Sequence, residues 1–155
     1  MGVFQQTLAY LSIDSKKFNN VDNTRACLKL FFPDTALNEV ASMLEKYPVY
    51  LNVELNGRYY GTYHEPYILS NDGYHQISLN AKKCLNQDEF LRTFLHEYAH
   101  LLVEVNYGRL KLSHGIKWKD TYKQLLLHFI QLNIFSEDIR MDIQRCIERG
   151  ITRYD

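Results

Sequence analysis

Apolar residues change their spacing twice along the chain. Leu37, Val40, Ala41 and Leu44 return every three or four positions, the stripe of a helix running to about Lys46, with Thr35 placed to cap it. Leu51, Val53 and Leu55 then alternate with Asn52 and Glu54, the pattern of a half-buried strand. Asn56-Gly57 is a strong hairpin signal, so Arg58 to Tyr63 is expected to return beside that strand. Pro66 and Asn71-Asp72-Gly73 read as a loop and turn, and Tyr74 to Asn80 alternates again with Ile77 and Leu79 on one face. Ahead of these elements the chain reads as a short helix, a polar loop from Asp14 to Thr24, and a helix from Arg25 to Phe32 that Pro33 stops.

Beyond Asn86 the period is helical throughout. Asn86-Gln87-Asp88-Glu89 has the form of a capping box, Leu91, Leu95, Leu102 and Val105 follow at helical spacing, and Gly108 stands where a C-cap is expected. Ile116 to about Gln131 carries Trp118, Tyr122, Leu125, Leu126 and Phe129 on one stripe. Ser136-Glu137-Asp138 opens a last helix with Ile139, Ile143 and Ile147 inward and Gly150 after it. Helices, then a small sheet, then helices predict an α+β fold. The sheet is expected to be mainly antiparallel with about three strands, and residues 1–155 to form a single domain.

The 155 residues hold 18 Lys and Arg against 18 Asp and Glu, so bulk charge does not draw the chain to nucleic acid. No apolar run is long enough to cross a bilayer, no signal peptide is visible, and Gln6 stands where a myristoylation signal needs Ser or Thr. Cys27, Cys84 and Cys146 are far apart and form no C-x-x-C pair, which excludes a cysteine zinc ribbon and fits a reducing, cytoplasmic setting.

Chemistry concentrates in His96-Glu97-Tyr98-Ala99-His100, an H-E-x-x-H inside the capped amphipathic helix. Four residues advance about 400° around a helix, so the two imidazoles share one face and can reach a single divalent ion. Glu97 lies about 100° round from His96, displaced from the ligand face but able to reach a metal-activated water and move its proton. A catalytic zinc needs a third protein ligand and an open position. The spacing of a metzincin fails, because Val103 and Asn106 occupy its later positions. Glu104 on the same helix is better placed as a partner for a histidine N–H. Glu137 and Asp138 are possible acidic ligands whose position helix capping also explains. His114 in Ser113-His114-Gly115, where a connection enters the next helix, is the preferred third ligand.

The stretch His96-Glu97-Tyr98-Ala99-His100, thirteen residues, then His114-Gly115-Ile116-Lys117-Trp118 resembles the SprT-like (Spartan-type) zinc metallopeptidases, and most closely their short, stand-alone bacterial form without a zinc ribbon. The resemblance is specific over about Asn86 to Phe129 and looser over Val49 to Asn80. It implies a zincin-like fold in which an edge strand can hold an extended substrate beside the metal-bearing helix. It implies that His96, His100 and His114 bind Zn²⁺, that Glu97 is the catalytic base and acid, and that Trp118 packs beneath the third ligand. The function implied is a zinc metalloendopeptidase acting on proteins or peptides, with DNA-associated proteins as an analogy from the family. The alternative is a DNA-associated or adaptor module with a structural zinc and little turnover.

Arg109, Lys111, Lys117, Lys119 and Lys123 stand against only Asp120 between Tyr107 and Lys123, a local basic excess that can support weak DNA association or simply form a solvated face. Tyr59, Tyr60, Tyr63, Tyr67 and Tyr74 cluster in the sheet region; one of them, Tyr107 or Tyr122 can serve as an oxyanion donor, and spacing does not choose. His64-Glu65 continues into Pro66-Tyr67-Ile68 and is not a second motif. His75 and His128 read as structural, and Cys84 as a small buried apolar side chain.

Overall fold

A computed structural model describes residues 28–55, 57–66 and 73–155, with the backbone of residues 12–14. Most of the expected N-terminal helix and residues 25–27 of the helix expected from Arg25 to Phe32 lie outside the described residues; of the described part of the second helix only Leu28 is helical, and residues 29–32 form a turn. Leu28, Phe31 and Phe32 are fully buried, and the amides of Phe31 and Phe32 both donate to Leu28 O at 3.0 Å.

Four strands form one mixed sheet: β1 (Ser12–Asp14), β2 (Val49–Glu54), β3 (Gly61–His64) and β4 (His75–Asn80), in the order β1-β2-β4-β3. β2 pairs parallel with β4, in a register that sets Leu51 against Ile77 and Val53 against Leu79. β1 pairs antiparallel with β2, and β3 antiparallel with β4. Val49, Leu51 and Val53 are buried as the alternation predicts. In β4, Ser78 and Asn80 are buried as well as Ile77 and Leu79, because a central strand is covered on both faces.

Two expectations are corrected here. The Asn56-Gly57 hairpin does not form: β2 and β3 are separated by β4, and the return strand starts at Gly61 instead of Arg58. Asn56 lies outside the described residues; Gly57, at φ 111°, turns the chain. The following segment arcs over the end of β4, where Asn80 Nδ2 donates to Gly57 O (3.2 Å) and Tyr59 O (3.0 Å), and Asn80 N donates to Tyr60 O (2.8 Å). These bonds satisfy the loop's carbonyls without a β2–β3 ladder. The fourth strand, β1, occupies a stretch read as helix and loop. Three residues are too few to show a period, and β1 pairs with the edge of β2 that β4 leaves open.

The helices are α1 (Leu37–Lys46), α2 (Gln87–Tyr107), α3 (Ile116–Gln131) and α4 (Glu137–Glu148). Thr35 does not cap α1. It sits in a 3-10 turn over Asp34–Ala36, and its Oγ1 donates to Ile134 O at 3.0 Å. The box before α2 forms: Glu89 N donates to Asn86 Oδ1 (2.9 Å), while the Glu89 carboxylate reaches past the cap to Leu85 N (2.6 Å). Gly108 ends α2 at φ 72°. Val105, on the apolar stripe, is 42% exposed in the last turn of α2. Between α2, α1 and residues 28–32 lies an aromatic core in which Phe32 packs on Phe94 (5.5 Å) and Phe31 on Phe90 (6.1 Å), both edge-on. Among the described residues no helix is long and apolar enough to cross a membrane.

Candidate active site

Helical spacing brings His96 and His100 to one face of α2, and the turn before α3 returns His114 over it. His114 Nε2 lies 3.1 Å from His96 Nε2 and 3.1 Å from His100 Nε2. Among the described residues this is the one group of three or more metal-ligating side chains whose ligand atoms converge, all within 4.8 Å. Ligands at ~2.0–2.1 Å in a tetrahedron stand about 3.3 Å apart, so the observed spacing fits one ion with a position left over. Three imidazole nitrogens suit zinc, and also iron, nickel or copper.

Burial keeps these rings neutral. It lowers His96 to about 4 and His100 to about 3, with the neighbouring imidazoles adding to the effect, and it lowers His114 as well. Neutral imidazoles are the form that binds metal. Their orientation is fixed from below and behind. The Trp118 ring lies 4.6 Å from His96, 5.4 Å from His100 and 4.6 Å from His114, and its Nε1 donates to His96 O at 3.2 Å. Tyr122 stacks on Trp118 at 5.0 Å and its hydroxyl donates to Asp155 O at 2.6 Å. Ser113 Oγ lies 3.2 Å from His114 Nδ1, and the Tyr63 ring stacks 6.3 Å from His100.

Glu97 is 6% exposed and lies 4.0 Å from His96 Nε2. Desolvation raises its carboxyl to about 8. A divalent ion among the three rings would favour the carboxylate and oppose that rise. The approach of β3 to Glu97 depends on Gly61, where a Cβ would lie 2.6 Å from Thr93 Cγ2, 3.0 Å from Ser78 O and 3.1 Å from Glu97 Cγ. The only sequence signal for this role is a glycine opening a strand.

Two clefts meet at the triad. The larger, about 1040 Å³, is lined by Tyr59, Tyr60, Gly61 and Arg58 on one side and by Arg153, Tyr154 and Asp155 on another. Nothing in the sequence brought the segment after α4 into the site. The smaller, about 410 Å³, runs along β3 past Tyr63 and Glu65 to the loop from Gly108 to Ser113. Of the tyrosines weighed as oxyanion donors, Tyr59 and Tyr60 line the larger cleft and Tyr63 the smaller. Tyr122 is committed to Asp155 O, Tyr74 stacks on Tyr50 at 4.4 Å, Tyr107 lies under Lys117 Nζ at 4.7 Å, and Tyr67 is outside the described residues.

Glu137 and Asp138 do not approach the triad. Glu137 is surface-exposed at the start of α4 beside Arg140 (3.5 Å). Glu104 lines the smaller cleft with His100. Arg109, Lys111, Lys117, Lys119 and Lys123 are all exposed. His75 is buried with its Nδ1 at 2.7 Å from the Tyr63 hydroxyl, His128 pairs with Glu39 at 3.1 Å, and Cys84 is buried.

Searches of curated proteins and of solved structures return no match. A family model does match, from residue 36 to residue 136, a span running from the turn before α1 through α2 and α3 to the start of α4. With most of its length covered, the chain belongs to the SprT-like family.

Proposed function

We propose that the protein is a zinc-dependent metalloendopeptidase that hydrolyses peptide bonds by metal-activated water. The observation that carries this reading is the convergence of three neutral imidazole nitrogens, 3.1 Å apart in two of their pairs, beside one buried carboxyl. Bound there, zinc would supply an acidified water and polarise the scissile carbonyl. His96, His100 and His114 would hold the ion, with Trp118 and Ser113 fixing the rings. Glu97 takes the proton from the attacking water and delivers it to the departing amine nitrogen. Among the described residues β3 is an edge strand beside the triad, the position from which a sheet can receive an extended peptide as an added strand.

Glu97→Gln tests this directly. It is expected to keep zinc at one ion per chain by elemental analysis and to lose at least ~10²-fold in the hydrolysis of an unfolded protein substrate. Unchanged hydrolysis in this variant would leave a structural zinc without turnover as the reading to adopt. The exposed basic stretch beside His114 supports a further proposal, that the substrates include DNA-associated proteins. It predicts duplex binding that weakens with salt and weakens further when Lys111, Lys117 and Lys119 become Gln together; salt-independent or absent binding would remove it.

A further inference from the structure

Glu65 follows the edge strand β3 and is 7% exposed. Its Oε1 is buried and makes no hydrogen bond among the described residues. Its one ionic neighbour among the described residues is Arg109 Nη2 at 3.7 Å, beyond hydrogen-bond distance, on a side chain 74% exposed in the loop after α2. A buried carboxylate with an unsatisfied oxygen is costly, and such a group retained in a cleft marks a place where a ligand completes its bonding. The cleft in question is the smaller one, which Glu65 shares with Glu97, His100, His114 and Tyr63. The larger cleft, on the other side of the triad, carries Arg58, Lys83 and Arg153. Among the described residues none of those three cations pairs with a carboxylate; Lys83 lies over Tyr60 and Arg153 over Tyr154.

We infer that Glu65 is the specificity-determining residue of a subsite for a positively charged side chain, Lys or Arg, of a peptide lying along β3. This rests on the metallopeptidase reading and names the substrate class of that same site. Arg109 half-fills the seat from solvent. An incoming cation can displace that exposed guanidinium and bond Oε1, where burial makes a charge-assisted hydrogen bond stronger than in water. The larger cleft mixes Arg58, Lys83, Arg92 and Arg153 with Glu89, Glu97 and Asp155, so the selection for a cation rests on the Glu65 end.

The test uses zinc-loaded protein and short peptides carrying a hydroxamate at either end, which anchors them on the ion and fixes their register. Lys, Gln or Glu is placed singly at each of the first three positions, and affinities are measured by calorimetry. At one position of one series Lys is expected to bind about tenfold or more tighter than Gln, and Glu more weakly than both. In Glu65→Gln that Lys-to-Gln ratio falls to within about twofold, and in Arg109→Ala it rises. Thermal unfolding of each variant confirms that it is folded, and Arg109→Ala, a change at an exposed side chain, tests the seat even where Glu65→Gln does not fold. Hydroxamates that bind with no Lys preference at any position, or a preference that survives Glu65→Gln, overturn the subsite while leaving the metallopeptidase reading standing. Failure of every hydroxamate to bind removes that reading, and the subsite with it.

Discussion

Gly61→Ala places one methyl where three elements meet. Its Cβ would lie 2.6 Å from Thr93 Cγ2, 3.0 Å from Ser78 O and 3.1 Å from Glu97 Cγ. Carbon atoms rest at ~3.5–4.0 Å, so the nearest contact is short by about 1 Å. Ser78 O belongs to β4, whose ladder with β3 holds it in place, so the strain falls on α2. Overpacking of this kind costs ~1–3 kcal/mol. The reduced freedom of the unfolded chain returns ~0.4–1 kcal/mol, because Gly61 is not in the left-handed region, leaving a net loss of ~1–2 kcal/mol. Thr93 and Glu97 are one turn apart on α2, so the same push displaces the carboxyl. A misplacement near 1 Å costs about 10²-fold in rate, while the zinc content set by three untouched histidines stays at one. Thr93→Ser deletes the clashing methyl and keeps the hydroxyl that lies 3.5 Å from Cys84 Sγ. Combined with Gly61→Ala it is expected to recover at least ~0.5 kcal/mol beyond additivity. Urea unfolding and peptide hydrolysis on zinc-loaded proteins provide both readouts. Equal unfolding midpoints for wild type and Gly61→Ala, or strictly additive losses in the double variant, would refute the close approach of β3 to α2.

Other perturbations probe separate parts of the account. Trp118→Ala removes the ring beneath all three imidazoles; it is expected to lose ~3–5 kcal/mol of stability and to release zinc to a chelator about 10- to 100-fold more readily, whereas Trp118→Phe keeps much of the packing and falls between. Equal zinc retention in all three proteins would contradict a supporting role. His75 is held below its usual 6.5 by burial, with Tyr47 and Tyr63 rings around it. The unfolded chain therefore takes up the proton first, so stability is complete above pH 6.5 and declines as pH falls below it. The drop in urea midpoint between pH 7.5 and 5.5 is expected to be smaller in His75→Gln than in wild type, and an identical drop would count against it.

What could be read from residues was what local period and local chemistry determine. Asn86 to Gly108 carries cap, stripe and stop within one element, and α2 follows those signals at both ends. The pair His96 and His100 needs only helical pitch to share a face. His114 lies beyond a turn, and the structure brings its ring over the same face. What could not be read depended on partners distant in sequence. Asn56-Gly57 specifies a turn but not which strand lies beside the next, and β4, arriving later in the chain, took that place. Thr35 had the chemistry of a cap, yet its hydroxyl found Ile134 O, 99 residues away. The residues after α4 reach the cleft through Ile151, buried at the surface of the core, and through the bond from Tyr122 to Asp155. Glu65 and Arg109 look ordinary in sequence, and their relation exists only once β3 lies beside the end of α2.

The central claim is that His96, His100 and His114 together hold one divalent ion. Elemental analysis of purified wild type, His114→Ala and Glu137→Gln, each passed over a weak chelator, tests it most directly. One zinc per chain is expected in wild type and Glu137→Gln, and a loss of most of it in His114→Ala. Full zinc in His114→Ala with loss in Glu137→Gln would show that the ion is held elsewhere and contradict the site.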